Sequence, residues 1–259
     1  MTTAYLALGY ACNQKCLFCP CSKEEASFPP VEYGKLKESV LEMKEHSGVD
    51  SVVLSGGEPT LYPELAGFLS FLTENGLKIT VLSNAERFAD RTFLTAFLAS
   101  CDPCQVNVIT TIHSHRAEEH EGVNQTKGSF DRTIAGLRNL LAAGIAVTVK
   151  HCVTKLNERD LREFYRFVCR TFDERADIQL CSIDYCGLTE ENKDSQMVVF
   201  PELAPYMEEM FDAYLADREA GSRRHLYCIN FPLCSADPYY WDYFKQKASP
   251  YAGYTSPEA

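Results

Sequence analysis

Residues 4–19 read Ala-Tyr-Leu-Ala-Leu-Gly-Tyr-Ala-Cys-Asn-Gln-Lys-Cys-Leu-Phe-Cys. The run from Ala4 to Gly9 is apolar and strand-like. It leads into a loop where Cys12, Cys16 and Cys19 follow the spacing CxxxCxxC. A [4Fe–4S] cube has four iron corners, and ferredoxins cap all four with cysteine. A loop that caps three leaves one iron open to a small-molecule ligand. Zinc is a competing occupant, but structural zinc favours CxxC pairs and needs a fourth protein ligand. Inert buried thiols are the third reading.

Outward from this loop, strand-like and helix-like segments alternate. Helical patterns run over about 31–46, 62–75, 87–100, 130–143 and 158–172. Strand patterns run over about 50–55, 78–83, 105–112, 146–153 and 177–185. Six strand–helix steps predict parallel strands with right-handed crossovers. Strands rich in Val, Ile and Leu fit a sheet covered on both faces. Pattern alone does not separate a doubly wound sheet from an α/β barrel. In either, ligands bind at the carboxyl ends of the strands, which is where the cysteine loop leaves the first strand. After Gly187 the alternation stops: 189–194 reads as a polar connector, 201–220 as a long helix, and the remainder as irregular and aromatic-rich.

The 259 residues suffice for one large domain with a sizeable core, and 46% hydrophobic with 24% charged residues is ordinary for a globular chain. No 18-residue apolar run is present, and Met1-Thr2-Thr3 opens no secretion signal, so the expected location is cytoplasmic. Twelve cysteines then read as reduced thiols and metal ligands rather than as a disulfide framework. A net charge of −11 disfavours nucleic acid as partner, because such binders neutralise phosphates with Lys and Arg.

Ser55-Gly56-Gly57-Glu58-Pro59 ends the second strand. It reads either as a bare turn or as a place where paired glycines let a ligand approach the backbone and Glu58 adds an acceptor. Together with the cysteine loop, this stretch is similar to the ordered motifs of the radical SAM superfamily over about residues 4–187. Cys12, Cys16 and Cys19 resemble its cluster loop, with Phe18 as the aromatic before the last cysteine. Gly56, Gly57 and Glu58 resemble its GGE motif. Ser83-Asn84 stands where members carry Thr-Asn-Gly, with Ala85 replacing the glycine. Thr111-Ile112-His113 and Lys150 to Asn157 resemble its fourth- and fifth-strand steps.

The resemblance implies a partial TIM-like (β/α)6 barrel over residues 1–187, with a helical or irregular extension over 188–259. It implies a [4Fe–4S] cluster on Cys12, Cys16 and Cys19. S-adenosylmethionine would bind the open iron and contact Phe18, Gly56, Gly57, Glu58, Ser83, Asn84, Thr111 and Lys150. The implied activity is reductive cleavage of S-adenosylmethionine to a 5′-deoxyadenosyl radical that abstracts hydrogen from an organic substrate. An external one-electron donor of the flavodoxin or ferredoxin type is implied too. By analogy the substrate is a peptide side chain in a ribosomally made natural product, with a small metabolite or cofactor precursor as the alternative. The alternative from another class is a non-enzymatic iron–sulfur carrier or zinc protein.

Cys186, Cys228 and Cys234 are candidate ligands of an auxiliary iron–sulfur cluster, which many relatives carry in a C-terminal extension. Cys186 is also a candidate hydrogen donor. His113 and Asp184 are candidate catalytic contacts, Asp184 because it shares a strand face with Cys186. His113, His115 and His120 otherwise read as a surface loop. Cys152 and Cys181 read as packed thiols. The run Tyr239 to Phe244 reads as packing, with closure of the barrel's open side as the alternative.

Overall fold

The structure, a computed structural model, describes residues 2–21, 27–184, 186–245 and 251–255. All of its strands run parallel in one sheet of order β8-β7-β6-β5-β4-β3-β2-β1-β9. These are β1 (Thr3–Ala7), β2 (Ser51–Ser55), β3 (Lys78–Leu82), β4 (Val106–Thr111), β5 (Ala146–Val153), β6 (Ala176–Ser182), β7 (Leu226–Ile229), β8 (Phe244–Lys245) and β9 (Tyr251–Thr255). The helices are α1 (Tyr33–Ser47), α2 (Leu65–Glu74), α3 (Arg91–Leu98), α4 (Ala117–Asn124), α5 (Ser129–Ala142), α6 (Leu161–Thr171), α7 (Leu188–Gln196) and α8 (Phe200–Glu219).

Strand alternation sorts the sheet into two chemically distinct faces. Leu6, Val52, Leu54, Ile79, Val81, Val108, Val149, Ile178 and Leu180 are buried in the core formed with the helices. Tyr5, Thr80, Asn107, Lys150, Gln179 and Tyr227 line a cavity on the opposite face. That second face mixes these polar side chains with Val53, Leu82, Ile109 and Ile229, so the strands are not wholly apolar on both sides as their Val and Ile content suggests. The sheet also curls. Four flat strand steps would separate β1 from β5 by roughly 19 Å. Yet Tyr5 on β1 lies within electrostatic reach of Lys150 on β5 and Tyr227 on β7. The curl makes the second face the inside of a partial barrel.

The extension differs from its sequence reading in three ways. Residues 188–196 form α7 rather than a polar connector. The end of the chain adds β7 and β8 beside β6, and β9 beside β1, so it widens the barrel sheet. Leu203, Met207, Met210, Phe211 and Leu226 join the same core as the strands before Gly187, so no core boundary falls there. Tyr239 to Phe244 packs against the helical layer, the first of its two sequence readings. Pro238–Tyr243 is a 3-10 helix whose Tyr240 and Tyr243 rings stack on Phe211 of α8, at 5.2 and 5.3 Å. Aromatic burial against a helix decides that position. The last strand reading, 177–185, ends on Tyr185, which lies outside the described residues.

Candidate active site

The cysteine loop is fastened from four sides at the carboxyl mouth of the barrel. At its root, Gly57 N–H donates to the Gly9 carbonyl and Glu58 N–H to the Ala11 carbonyl, both at 2.8 Å. In its middle, Lys15 and Leu17 N–H groups donate to the Asn124 and Val123 carbonyls at the end of α4, each at 3.0 Å. Asn84 Nδ2 donates to Asn13 Oδ1, and Gln14 Nε2 to Glu86 Oε1, both at 2.7 Å. At its far end, Leu188 N–H donates to the Cys19 carbonyl at 3.0 Å, and Asn192 Nδ2 to the Leu17 carbonyl at 2.9 Å. Loops after β1, β2, β3 and β6 therefore meet here, which only the curl permits.

The glycines of the second-strand motif serve this fastening. A Cβ on Gly56 would run into the Gly9 carbonyl, and one on Gly57 into the Tyr10 and Ala11 carbonyls. Gly56 is also left-handed, at φ 115°. What approaches the backbone closely is the cysteine loop, where the sequence suggested a ligand. Gly187 does the same at the other end: its φ is 56°, and a Cβ there would lie 2.8 Å from the Cys19 carbonyl oxygen.

Glu58 is 4% exposed and is held by four donors. Oε1 accepts from Thr60 N–H at 3.0 Å, Thr60 Oγ1 at 2.7 Å and Ser83 Oγ at 2.8 Å. Oε2 accepts from Asn84 N–H at 2.7 Å. Burial raises its pKa, and these donors pull it back. Glu58 thus binds the turn after β2 to the turn after β3. Ala85 sits in the left-handed region at φ 61°, where glycine is easier, so Ser83-Asn84-Ala85 keeps the tight turn despite its alanine.

The three thiols influence one another electrically. Burial, partly offset by the Gln14 N–H, pushes Cys12 up to about 11. Burial and the neighbouring Cys19 and Cys12 push Cys16 up to about 12. The Gln14 N–H points at Cys12 Sγ at 3.4 Å. Two neighbouring thiols, Cys12 and Cys16, that resist ionisation fit a cationic iron–sulfur group, whose charge would hold them as thiolates. Among the described residues no three His, Cys, Asp or Glu side chains converge on a single ion. A cube takes each thiolate on a different iron, so its ligands need not converge.

His113 and His120 are buried, contrary to the surface-loop reading, because residues 117–124 fold as α4 over them. His113 Nε2 lies 3.9 Å from Cys16 Sγ, and its ring meets Phe18 edge-on at 5.3 Å. Burial drives His113 well below the usual histidine range and brings His120 and His151 to about 4, so all three are neutral near pH 7.

Below the loop lies a cavity of about 890 Å³, lined by Phe18, Lys150, Cys152, Cys181 and Asp184 among others. Thr111 is the register partner of Lys150. Lys150 stays protonated: the Cys152 sulfur beside it favours the ammonium, against the opposing effect of burial. The extension cysteines do not assemble. Cys228 is fully buried on the outer face of β7, in the core against α8, while Cys234 is exposed. Cys228 thus lies on the face opposite the chamber, apart from Cys186. Strand alternation aims it at the helices.

Asn13, Gln14, Glu86, Arg132 and Asn192 were not singled out from the sequence. Arg132 Nε donates to Glu86 Oε2 at 2.6 Å, which orients Glu86 toward Gln14. Asn13, Gln14 and Glu86 carry the one sequence signal, polarity soon after strands whose carboxyl ends form the mouth, while Arg132 and Asn192 lie within α5 and α7.

The sequence signature of the Radical SAM superfamily matches residues 6–168. The chain belongs to that superfamily. Its family cofactors are a [4Fe–4S] cluster and S-adenosylmethionine. This radical SAM chain is 29% identical over 164 residues to the mycofactocin maturase MftC of Mycobacterium tuberculosis, covering 63% of the chain and 40% of the relative. It is 27% identical over 167 residues to a probable GTP 3′,8-cyclase of Saccharolobus islandicus, covering 63% and 50%. The chain thus spans half or less of the length of these relatives. In fold it is similar to Streptococcus suis SuiB bound to precursor peptide SuiA, with a TM-score of 0.68 at 19% identity, covering 87% of this chain and 48% of that one. It is also similar to anSMEcpe with bound AdoMet and a peptide, with a TM-score of 0.69 at 18% identity, covering 87% and 63%. Among the described residues no helix is long and apolar enough to cross a membrane.

Proposed function

We propose that this chain is an enzyme that cleaves S-adenosylmethionine reductively and uses the radical to modify a peptide side chain. The observation that carries this reading is the three-thiol loop fastened over the mouth of a cavity of about 890 Å³ lined by polar and apolar side chains. Cys12, Cys16 and Cys19 would hold a [4Fe–4S] cluster, which would supply the electron for reductive cleavage of S-adenosylmethionine and so a radical able to abstract hydrogen from substrate.

The chain's own residues hold and shield that chemistry. Gly56, Gly57 and Glu58 fix the root of the loop, and Ser83 and Asn84 complete the wall beside them. Phe18 excludes water from the underside of the loop, where it packs against Cys152, Cys181 and Ile183. Lys150 presents an ammonium to a carboxylate in the chamber, opposite Thr111. His113 stays neutral and faces Cys16, so its role is to polarise the sulfur rather than to carry protons. Asp184 and Cys186 stand at the rim, where substrate enters. Asp184 is placed to accept a proton from substrate, and Cys186 to return a hydrogen. The electron arrives from an external donor of the flavodoxin or ferredoxin type.

The named peptide complexes of SuiB and anSMEcpe, and the maturase relative, support a peptide substrate. The cyclase relative supports a small metabolite as the second reading. Anaerobic reconstitution followed by dithionite and S-adenosylmethionine tests the activity. Formation of 5′-deoxyadenosine is expected. A loaded cluster that forms none refutes the enzyme reading. Peptides encoded beside the gene, screened by mass, decide between the two substrate classes.

A further inference from the structure

Cys152 and Cys181 are register partners on the adjacent strands β5 and β6. Registered partners on neighbouring strands lie roughly 4.8 Å apart at Cα, inside the range of about 4.4–6.8 Å that a disulfide spans. Both side chains take the inner face and line the chamber, where Cys152 is 6% and Cys181 5% exposed. Lys150, two residues before Cys152, shares that face. Phe18 of the cysteine loop packs on the pair, and the charge of Cys16 is felt at Cys152.

We propose that Cys152 and Cys181 form a redox-active dithiol inside the chamber, which exchanges with small disulfides and closes to a bond across β5 and β6. The two sulfurs have distinct parts. Cys181 donates to the Ser182 carbonyl at 3.1 Å and keeps its proton. Cys152, which faces the Lys150 ammonium, is the nucleophile. Its thiolate attacks a sulfur of the external disulfide, giving a mixed disulfide and one free thiol. Cys181 then passes its proton to solvent and attacks the Cys152 sulfur, releasing the second thiol. The dithiol loses two electrons and two protons in all, and the external disulfide gains both as two thiols. The chamber thereby carries a two-electron couple beside the three-thiol loop.

The test uses the full chain with its cluster loaded and glutathione disulfide as probe, under anaerobic conditions. After an acid quench and alkylation, mass spectrometry of the digest should find the Cys152 and Cys181 peptides joined. Alkylation of both cysteines should fall by about tenfold or more relative to the untreated protein. C181S should retain glutathione on Cys152, and C152S should leave Cys181 free. Visible absorbance of the cluster, unchanged throughout, excludes thiols released from Cys12, Cys16 and Cys19. Full alkylation of Cys152 and Cys181 after treatment would overturn the proposal, as would glutathione on Cys181 in C152S. The readout needs no S-adenosylmethionine and no turnover, so its failure is distinguishable from failure of the proposed activity.

Discussion

Substituting Gly57 by alanine tests whether the glycine pair positions the cysteine loop. Gly57 has no left-handed φ, so the change strains no backbone torsion and acts through space alone. The new Cβ would lie 2.6 Å from the Tyr10 carbonyl carbon, and nearer still to two carbonyl oxygens. Carbon atoms rest at about 3.5–4.0 Å, so the two loops must part by roughly 1 Å. The backbone that moves is Tyr10-Ala11, directly before Cys12. Overpacking of this kind costs about 1–3 kcal/mol, which in a domain of this size lowers Tm by roughly 2–12 °C. A misplacement near 1 Å also lowers a rate by about 100-fold. The assays are thermal unfolding, iron content after anaerobic reconstitution, and release of 5′-deoxyadenosine. Gly122→Ala is the control: its Cβ meets nothing within 4 Å, and alanine in α4 should stabilise by up to about 1 kcal/mol. Wild-type iron content, Tm and turnover in Gly57→Ala would refute the reasoning.

Glu58→Gln replaces one acceptor oxygen by a donor facing either Asn84 N–H or the Ser83 and Thr60 groups, and should destabilise by about 1–3 kcal/mol in denaturant unfolding; a change below experimental error would remove Glu58 as the tie between the β2 and β3 turns. Changing Cys12, Cys16 and Cys19 together to alanine should abolish iron–sulfur absorbance, because Cys228 is turned into the outer core; residual absorbance would restore an auxiliary cluster. Cluster uptake should weaken as pH falls from 8.5 to 6. Cys12 and Cys16 hold their protons up to about 11 and about 12, so uptake expels protons and loses up to about tenfold in affinity per proton per pH unit. Uptake independent of pH would contradict the raised thiols.

Much of the frame was legible in the chain itself. The alternation of Val- and Ile-rich runs with amphipathic helices dictates parallel strands, because hairpins cannot join segments separated by whole helices. CxxxCxxC directly after the first strand likewise dictates three thiols at the carboxyl mouth. These features are local, and spacing along the chain carries them. The curl of the sheet is not local. A period of two says that each strand has two faces, but not which face turns inward. Only the closed-over sheet brings Tyr5 toward Lys150 and seats α7 under the cysteine loop through Asn192. The same curvature separates Cys228, turned to the helices, from Cys152 and Cys181, turned to the chamber. It also buries His113 beneath α4, where polarity alone suggested a surface loop. The sequence by itself determined the parallel strand–helix alternation of the core and the loop that holds the thiols. The tertiary structure decided what those thiols face, because inward and outward side chains differ by a single residue of register and by contacts made across more than a hundred residues.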